Sequence, residues 1–221
     1  MKAMNAFVNN SPRSIQEQEE GIADDIEAAL NSAGNPATVD AHGWSLCHYA
    51  AYYGFSELLI VLAGKKAPIN LQTPVSKKTP LMISVEQGHF NIFLELIEQT
   101  KAEDLAAMSH DGKTIFHYMA RPLRASGLKL IKDDRAIREQ HSHWEKLIKA
   151  AGTRSPLFNK RDFSGKTPLD YVSQIEYIRN QSQQIERKLR KHGFRLASEL
   201  DDLSAPKSAS DEKEIEIKRR A

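Results

Sequence analysis

Two histidines stand three residues after a hydroxyl in matching settings, Ser45-Leu-Cys-His48 and Thr114-Ile-Phe-His117. A hydroxyl beside an imidazole is the pair that nucleophilic catalysis uses. The pair also needs a third group to orient the imidazole, and no carboxylate recurs at a fixed offset from it. Cys47 and His48 offer a thiol and a base, but neighbours on a helix do not face each other. Cys47 therefore reads as a small buried hydrophobe. His141-Ser142-His143 would hold its two rings splayed on a helix, unlike the i, i+4 spacing of helical metal pairs, so it reads as a solvated surface feature and no metal site is expected. Asp133, Asp134, His141, His143 and Glu145 could supply acid and base groups to an enzyme built by residues 133–145. They circle one helix instead of converging. No catalytic residue and no cofactor is expected, and the enzyme stands as the alternative reading.

The elements that position these residues repeat. Ser45, Thr79, Thr114 and Thr167 head similar stretches at spacings of 34, 35 and 53 residues. Two intervals are near one repeat length, and the third carries an insertion of about one helix, at about 121–156. In each unit a turn, Asp-x-x-Gly in two of the four, precedes the hydroxyl, with Gly43, Gly112 or Gly165 where φ > 0 is needed and Lys77 in that place in the second unit. Ser or Thr then acts as N-cap, with Pro80 or Pro168 in the first turn of a short helix. Gly54 and Gly88 end the first helices of two units, and runs such as Glu57-Leu-Leu-Ile-Val-Leu62 supply second helices. One helix pair cannot bury its own apolar face, so neighbours must stack. Within the insertion, 133–152 reads as a long helix with Ile137, Trp144, Leu147 and Ile148 on one face, and Ile185 and Leu189 continue a later stripe.

Ser45-Leu-Cys-His-Tyr-Ala-Ala51, Thr79-Pro-Leu-Met-Ile-Ser-Val85, Thr114-Ile-Phe-His-Tyr-Met-Ala120 and Thr167-Pro-Leu-Asp-Tyr-Val-Ser173 resemble the Thr-Pro-Leu-His-x-Ala-Ala core of the ankyrin repeat. Lys66-Ala-Pro-Ile-Asn70 is similar to that family's repeat end, and 24–34 looks like the second helix of an N-terminal capping repeat. The resemblance implies an all-α solenoid of stacked helix-turn-helix units with short hairpin turns. It implies that the His and Thr pair bonds internally within each repeat, and that a protein partner is gripped on the concave face. The positions it assigns to that face are Ala41, His42, Trp44, Tyr52 and Tyr53; Val75, Ser76, Lys78, Glu86 and Gln87; His110, Asp111, Lys113 and Arg121; and Phe163, Ser164 and Lys166. Among them Trp44, Tyr52 and Tyr53 read as the aromatic anchor, because such residues dominate interface hot spots.

Bulk properties agree with a binding module. Of 221 residues, 40% are hydrophobic and 27% charged, and 31 basic against 29 acidic residues leave a net charge of +2, too even for a nucleic-acid footprint. One cysteine excludes an intramolecular disulfide and fits a reducing, cytoplasmic setting. No signal peptide or membrane span is expected. The expected organisation is a flexible 1–14, an ankyrin-repeat domain over 15–196 and a disordered polar tail over 197–221. Within the domain the cap spans about 15–39 and the repeats about 40–73, 74–108, 109–156 and 157–196. The chain is expected to be monomeric by itself. It resembles small ankyrin effectors of intracellular bacterial pathogens, and the acid-rich 208–221 would suit a signal for delivery into a host cell.

Overall fold

A computed structural model describes residues 34–120, 134–152, 154–173 and 179–204. The expected N-terminal cap helix over 24–34, except Gly34 at its end, the loop at 121–127 with Arg121, and the tail beyond 204 lie outside the described residues. Among the described residues there are nine α-helices: α1 (Leu46–Tyr53), α2 (Ser56–Gly64), α3 (Pro80–Gln87), α4 (Phe90–Gln99), α5 (Ile115–Ala120), α6 (Asp134–Ala151), α7 (Pro168–Ser173), α8 (Arg179–Lys191) and α9 (Ala197–Ser204). Short 3-10 turns stand at Asp104–Ala106 and Pro156–Asn159. The fold is all-α, a helical repeat solenoid.

Local chemistry sets the helix boundaries. Ser45 is extended at φ −88°, and its N–H donates to His48 Nδ1 at 3.0 Å, so a histidine completes the capping box that glutamate often supplies. Thr79 accepts the Met82 N–H at 3.3 Å, and Pro80 opens the helix where its missing N–H costs nothing. Helices α1 and α3 stop at Gly54 (φ +84°) and Gly88 (φ +80°), a region where a Cβ is strained.

Helices α1, α3, α5 and α7 pack in succession as one layer, and α2, α4 and α6 pack in succession behind them, with α8 against α7. The turns preceding the first layer stack as well. Three close between residues four apart: Asp40 N–H to Trp44 O, Ser109 N–H to Lys113 O and Asp162 N–H to Lys166 O, each 2.9 Å. The second is one residue longer, Thr73 N–H to Lys78 O at 3.0 Å, and Lys77 takes the left-handed conformation (φ +53°) that glycine takes elsewhere. Neighbouring turns are joined by His110 N–H to Ser76 O (2.8 Å) and Phe163 N–H to Asp111 O (3.1 Å). The last of these bonds spans the insertion, so the extra residues do not interrupt the stack.

The insertion is instead absorbed by α6, 18 residues long. Trp144, Leu147 and Ile148 are buried; Ile137 lies where the side chains are outside the described set. Four fully buried aromatics tie this region together: Phe116 of α5, Trp144 of α6, Phe158 of the 3-10 turn and Phe194 beyond α8. Phe158 stacks on Phe194 at 4.4 Å between ring centroids, and Trp144 meets Phe194 edge-on at 5.8 Å.

Two expectations are corrected. His143 is not a solvated surface residue: α6 lies on α4, and the imidazole stacks on Phe90 at 4.5 Å, nearly parallel at 3°. The chain is also not a disordered tail from 197. Residues 197–204 form α9, anchored by Ala197 N–H to the Asp170 carboxylate (3.1 Å), Arg161 to Asp201 (2.6 Å) and Arg190 to Glu199 (2.7 Å). Composition suggested solvation because α9 is acidic, but Glu199 and Asp201 are matched by arginines 9 and 40 residues away in sequence.

Candidate functional site

The hydroxyl and imidazole pairs are joints between repeats. His48 Nδ1 faces both the Ser45 N–H and hydroxyl (3.0 and 2.8 Å), and its Nε2 donates to Leu71 O at 2.9 Å, in the next turn along the array. His117 repeats this with Thr114 (3.1 and 3.0 Å) and donates to Lys166 O at 3.1 Å. Accepting a backbone N–H at one nitrogen and donating at the other fixes a neutral tautomer. Burial holds both imidazoles below their ordinary value, partly offset by the carbonyls that accept their Nε2–H. In the fourth repeat Asp170 replaces histidine. Its Oδ2 accepts the Thr167 N–H (2.7 Å) and hydroxyl (2.9 Å), and the carboxylate also takes the first N–H of α9. The polarity has inverted: a donor meets a carbonyl where a repeat follows, and an acceptor meets a helix N-terminus where the array ends. With both nitrogens committed and no orienting carboxylate, neither imidazole is free to act as a base. The Cys47 thiol is fully buried and pushed up to about 12 by burial, far from thiolate reactivity.

The residues assigned to a binding face fall along the turns and the ends of the first-layer helices. Trp44 is half-buried and is the centre of an aromatic group, 5.2 Å from Tyr49, 5.8 Å from Tyr52 and 5.8 Å from His48. Tyr52 and Tyr53 are 42% and 40% exposed and pack edge-on at 5.1 Å, so the structure brings this trio together. His42 is exposed, its N–H on Asp40 Oδ1 at 2.9 Å. Ala41 and His110 are exposed, while Ser76, Gln87 and Ser164 are half-buried to exposed along the same row. Val75 and Phe163 project from turn tips, 82% and 75% exposed. Large apolar groups so placed are not stabilising the core.

Lysines follow the repeat phase. Lys78 pairs with Glu86 at 2.6 Å and lies 5.7 Å from the ring of Tyr118 in the next repeat. Lys113 pairs with Asp111 and lies 5.8 Å from the ring of Tyr171, which Lys166 approaches to 5.5 Å. Trp44 occupies the same position ahead of its hydroxyl as these three lysines, so the row reads aromatic, then cation over aromatic. Tyr49, Tyr118 and Tyr171 were missed by the sequence reading. Each lies four residues after the aligned hydroxyl, a phase that could have found them. Tyr49 donates to Asp40 Oδ2 at 2.6 Å, and that bond, with burial, pushes the phenol up to about 12; Tyr171 does the same to Asp162, its phenol raised by burial and then by that bond. Burial alone would raise Asp162, but the Tyr171 and Ser164 hydroxyls that donate to it hold it below the ordinary carboxylate value. These are fixed dipoles and charges on a half-open surface, suited to complementing a partner.

Of the residues proposed for acid and base chemistry, only the side chains of His143 and Glu145 are described. His143 is stacked against Phe90, and Glu145 pairs with Lys188 of α8. Asp133 and the side chains of Asp134 and His141 lie outside the described residues. Among the described residues no group of three His, Cys, Asp or Glu is placed to hold a metal, and no helix is long and apolar enough to cross a membrane.

Comparison with known proteins agrees with this geometry. No curated protein matches the chain. Residues 47–137 match a protein-family model described as "Ankyrin repeats (3 copies)", which covers the first, second and third repeats and enters α6. Ankyrin repeats are generally protein-protein interaction modules and typically carry no catalysis of their own. The stacked turns, the two helix layers and the family match over residues 47–137 together show that the chain carries ankyrin repeats.

Proposed function

We propose that this chain is a non-enzymatic adaptor that grips a protein partner on the face formed by the repeat turns and the first-layer helix ends. The observation that carries the reading is the placement of Tyr52, Tyr53, Val75 and Phe163, which are large, apolar or amphipathic, and exposed along that one row. Trp44 is the half-buried platform beneath Tyr52, while Lys78, Lys113 and Lys166 supply oriented charge along the rest of the row. His42, Glu86, Gln87, His110 and Asp111 complete its rim. The partner is a protein in an intracellular compartment, consistent with a single buried thiol.

Affinity for a captured partner should separate binding from packing. Tyr52→Ala, Tyr53→Ala and Phe163→Ala should each weaken binding by about 2 kcal/mol, roughly 30-fold, where the residue is a hot spot, with stability changed by about 0.5 kcal/mol or less. If these variants melt lower while affinity per folded molecule stays the same, the aromatics serve packing and the reading fails.

A further inference from the structure

A cleft of about 410 Å³ opens at the far end of the array, between the 3-10 turn at Pro156–Asn159 and the end of α8, and it shares no residue with the turn face. Among the described residues its lining includes four permanent cations, Arg154, Arg190, Lys191 and Arg195, together with His192 and Ser155, and no carboxylate. Arg190 is neutralised by Glu186 (2.9 Å) and Glu199 (2.7 Å). Arg154, whose backbone is left-handed at φ +64°, and Lys191 have no carboxylate partner among the described residues, while Arg195 lies near Glu199 and donates to Phe194 O (2.9 Å) and Arg190 O (3.4 Å). The floor is built: Asn159 donates to Gly193 O (3.0 Å) and accepts the Arg195 N–H (2.8 Å), over the buried stack of Phe158 on Phe194.

We propose that this cleft binds a phosphate monoester carried on a peptide, that is, a phosphoserine or phosphothreonine segment of a protein. A dianionic phosphate matches a surplus of about two cations, and arginine and lysine supply charge-assisted donors to its oxygens. The volume exceeds what one phosphate fills and leaves room for flanking backbone. Free nucleotide and nucleic acid are disfavoured, because the one phenyl or indole ring in the lining, Phe158, is buried and offers no face for a base to stack on. A membrane headgroup is disfavoured too, since none of the exposed large apolar side chains lines the cleft to enter a bilayer. The choice of a peptide as carrier rests on the protein-binding reading above; the cationic cleft itself does not.

The test uses the full chain and a degenerate pool of phosphoserine and phosphothreonine peptides, with the same pool unphosphorylated, read by fluorescence anisotropy. The phosphorylated pool should bind at least about tenfold tighter than its counterpart and weaken as salt rises. The double variant Arg154→Gln, Lys191→Gln should lose at least about tenfold, with an unchanged melting temperature because the Arg190 and Glu199 pair remains. Tyr52→Ala and Phe163→Ala should bind the phosphorylated pool normally, so failure at the cleft is distinguishable from failure of the turn face. Equal affinity for both pools, no binding of either, or undiminished binding by the double variant would each overturn the proposal. So would tighter binding to phosphoinositide vesicles or to AMP than to the phosphorylated pool.

Discussion

His48 and His117 are required to be neutral, since each accepts a backbone N–H at Nδ1 and is buried. Their folded values lie below the ordinary value near 6.5, so in the window beneath that the unfolded chain binds more protons than the folded one. Their contribution to stability is therefore present in full above about pH 6.5 and is lost as pH falls through the folded values. The melting temperature should be lower at pH 5 than at pH 7.5, before the lowered carboxylates Asp40 and Asp162 begin to titrate. Replacing both histidines with asparagine should lower stability and flatten that slope. A wild-type profile level from pH 7.5 to 5 would contradict the account. At this scale the sequence carried the internal His and Thr bonding through the family resemblance. It did not carry Tyr118 and Tyr171 as cation partners, because two of the lysines that meet them, Lys78 and Lys113, belong to a neighbouring repeat, 40 and 58 residues earlier.

Helix ends obey local chemistry and were legible for that reason. Gly54 and Gly88 both take positive φ, but a Cβ at Gly54 would come within 2.7 Å of His89 Nδ1, whereas at Gly88 nothing stands within 4 Å. Alanine at Gly88 should cost about 1 kcal/mol from backbone strain alone, and alanine at Gly54 measurably more, because His89 must also move. Equal costs by denaturant unfolding would mean that His89 yields freely. Helix α9 was not legible, since its one local mark is Glu199 accepting the Leu196 N–H (3.1 Å): its other stabilising partners, Asp170, Arg161 and Arg190, come from earlier in the chain. A chain ending at Leu196 should melt roughly 3–8 °C below one ending at Ser204, as befits about 1–3 kcal/mol of lost capping in a chain of this size. Identical melting of the two would return α9 to the role of a solvated appendage.

Across the whole molecule, the bond from Phe163 to Asp111 lets four turns form one row despite the 53-residue interval, so an insertion that lengthens the second layer leaves the first continuous. The row and its aromatic end were readable from repeat phase; the long helix α6 was readable from its apolar face. The aromatic knot of Phe116, Trp144, Phe158 and Phe194 was not, because its members are spread over 79 positions and meet only once the repeats stack. A partner that uses this row must touch both ends of it and leave the second helix layer untouched. Site-specific photocrosslinking tests that most directly, with a benzophenone amino acid placed in turn at Tyr52, at Phe163 and at Ile60 of α2, which is 51% exposed in the second layer. The same protein should be captured from Tyr52 and Phe163 and not from Ile60. Capture from Ile60 alone, or of unrelated proteins from Tyr52 and Phe163, would contradict the claim that the turn row is the binding face.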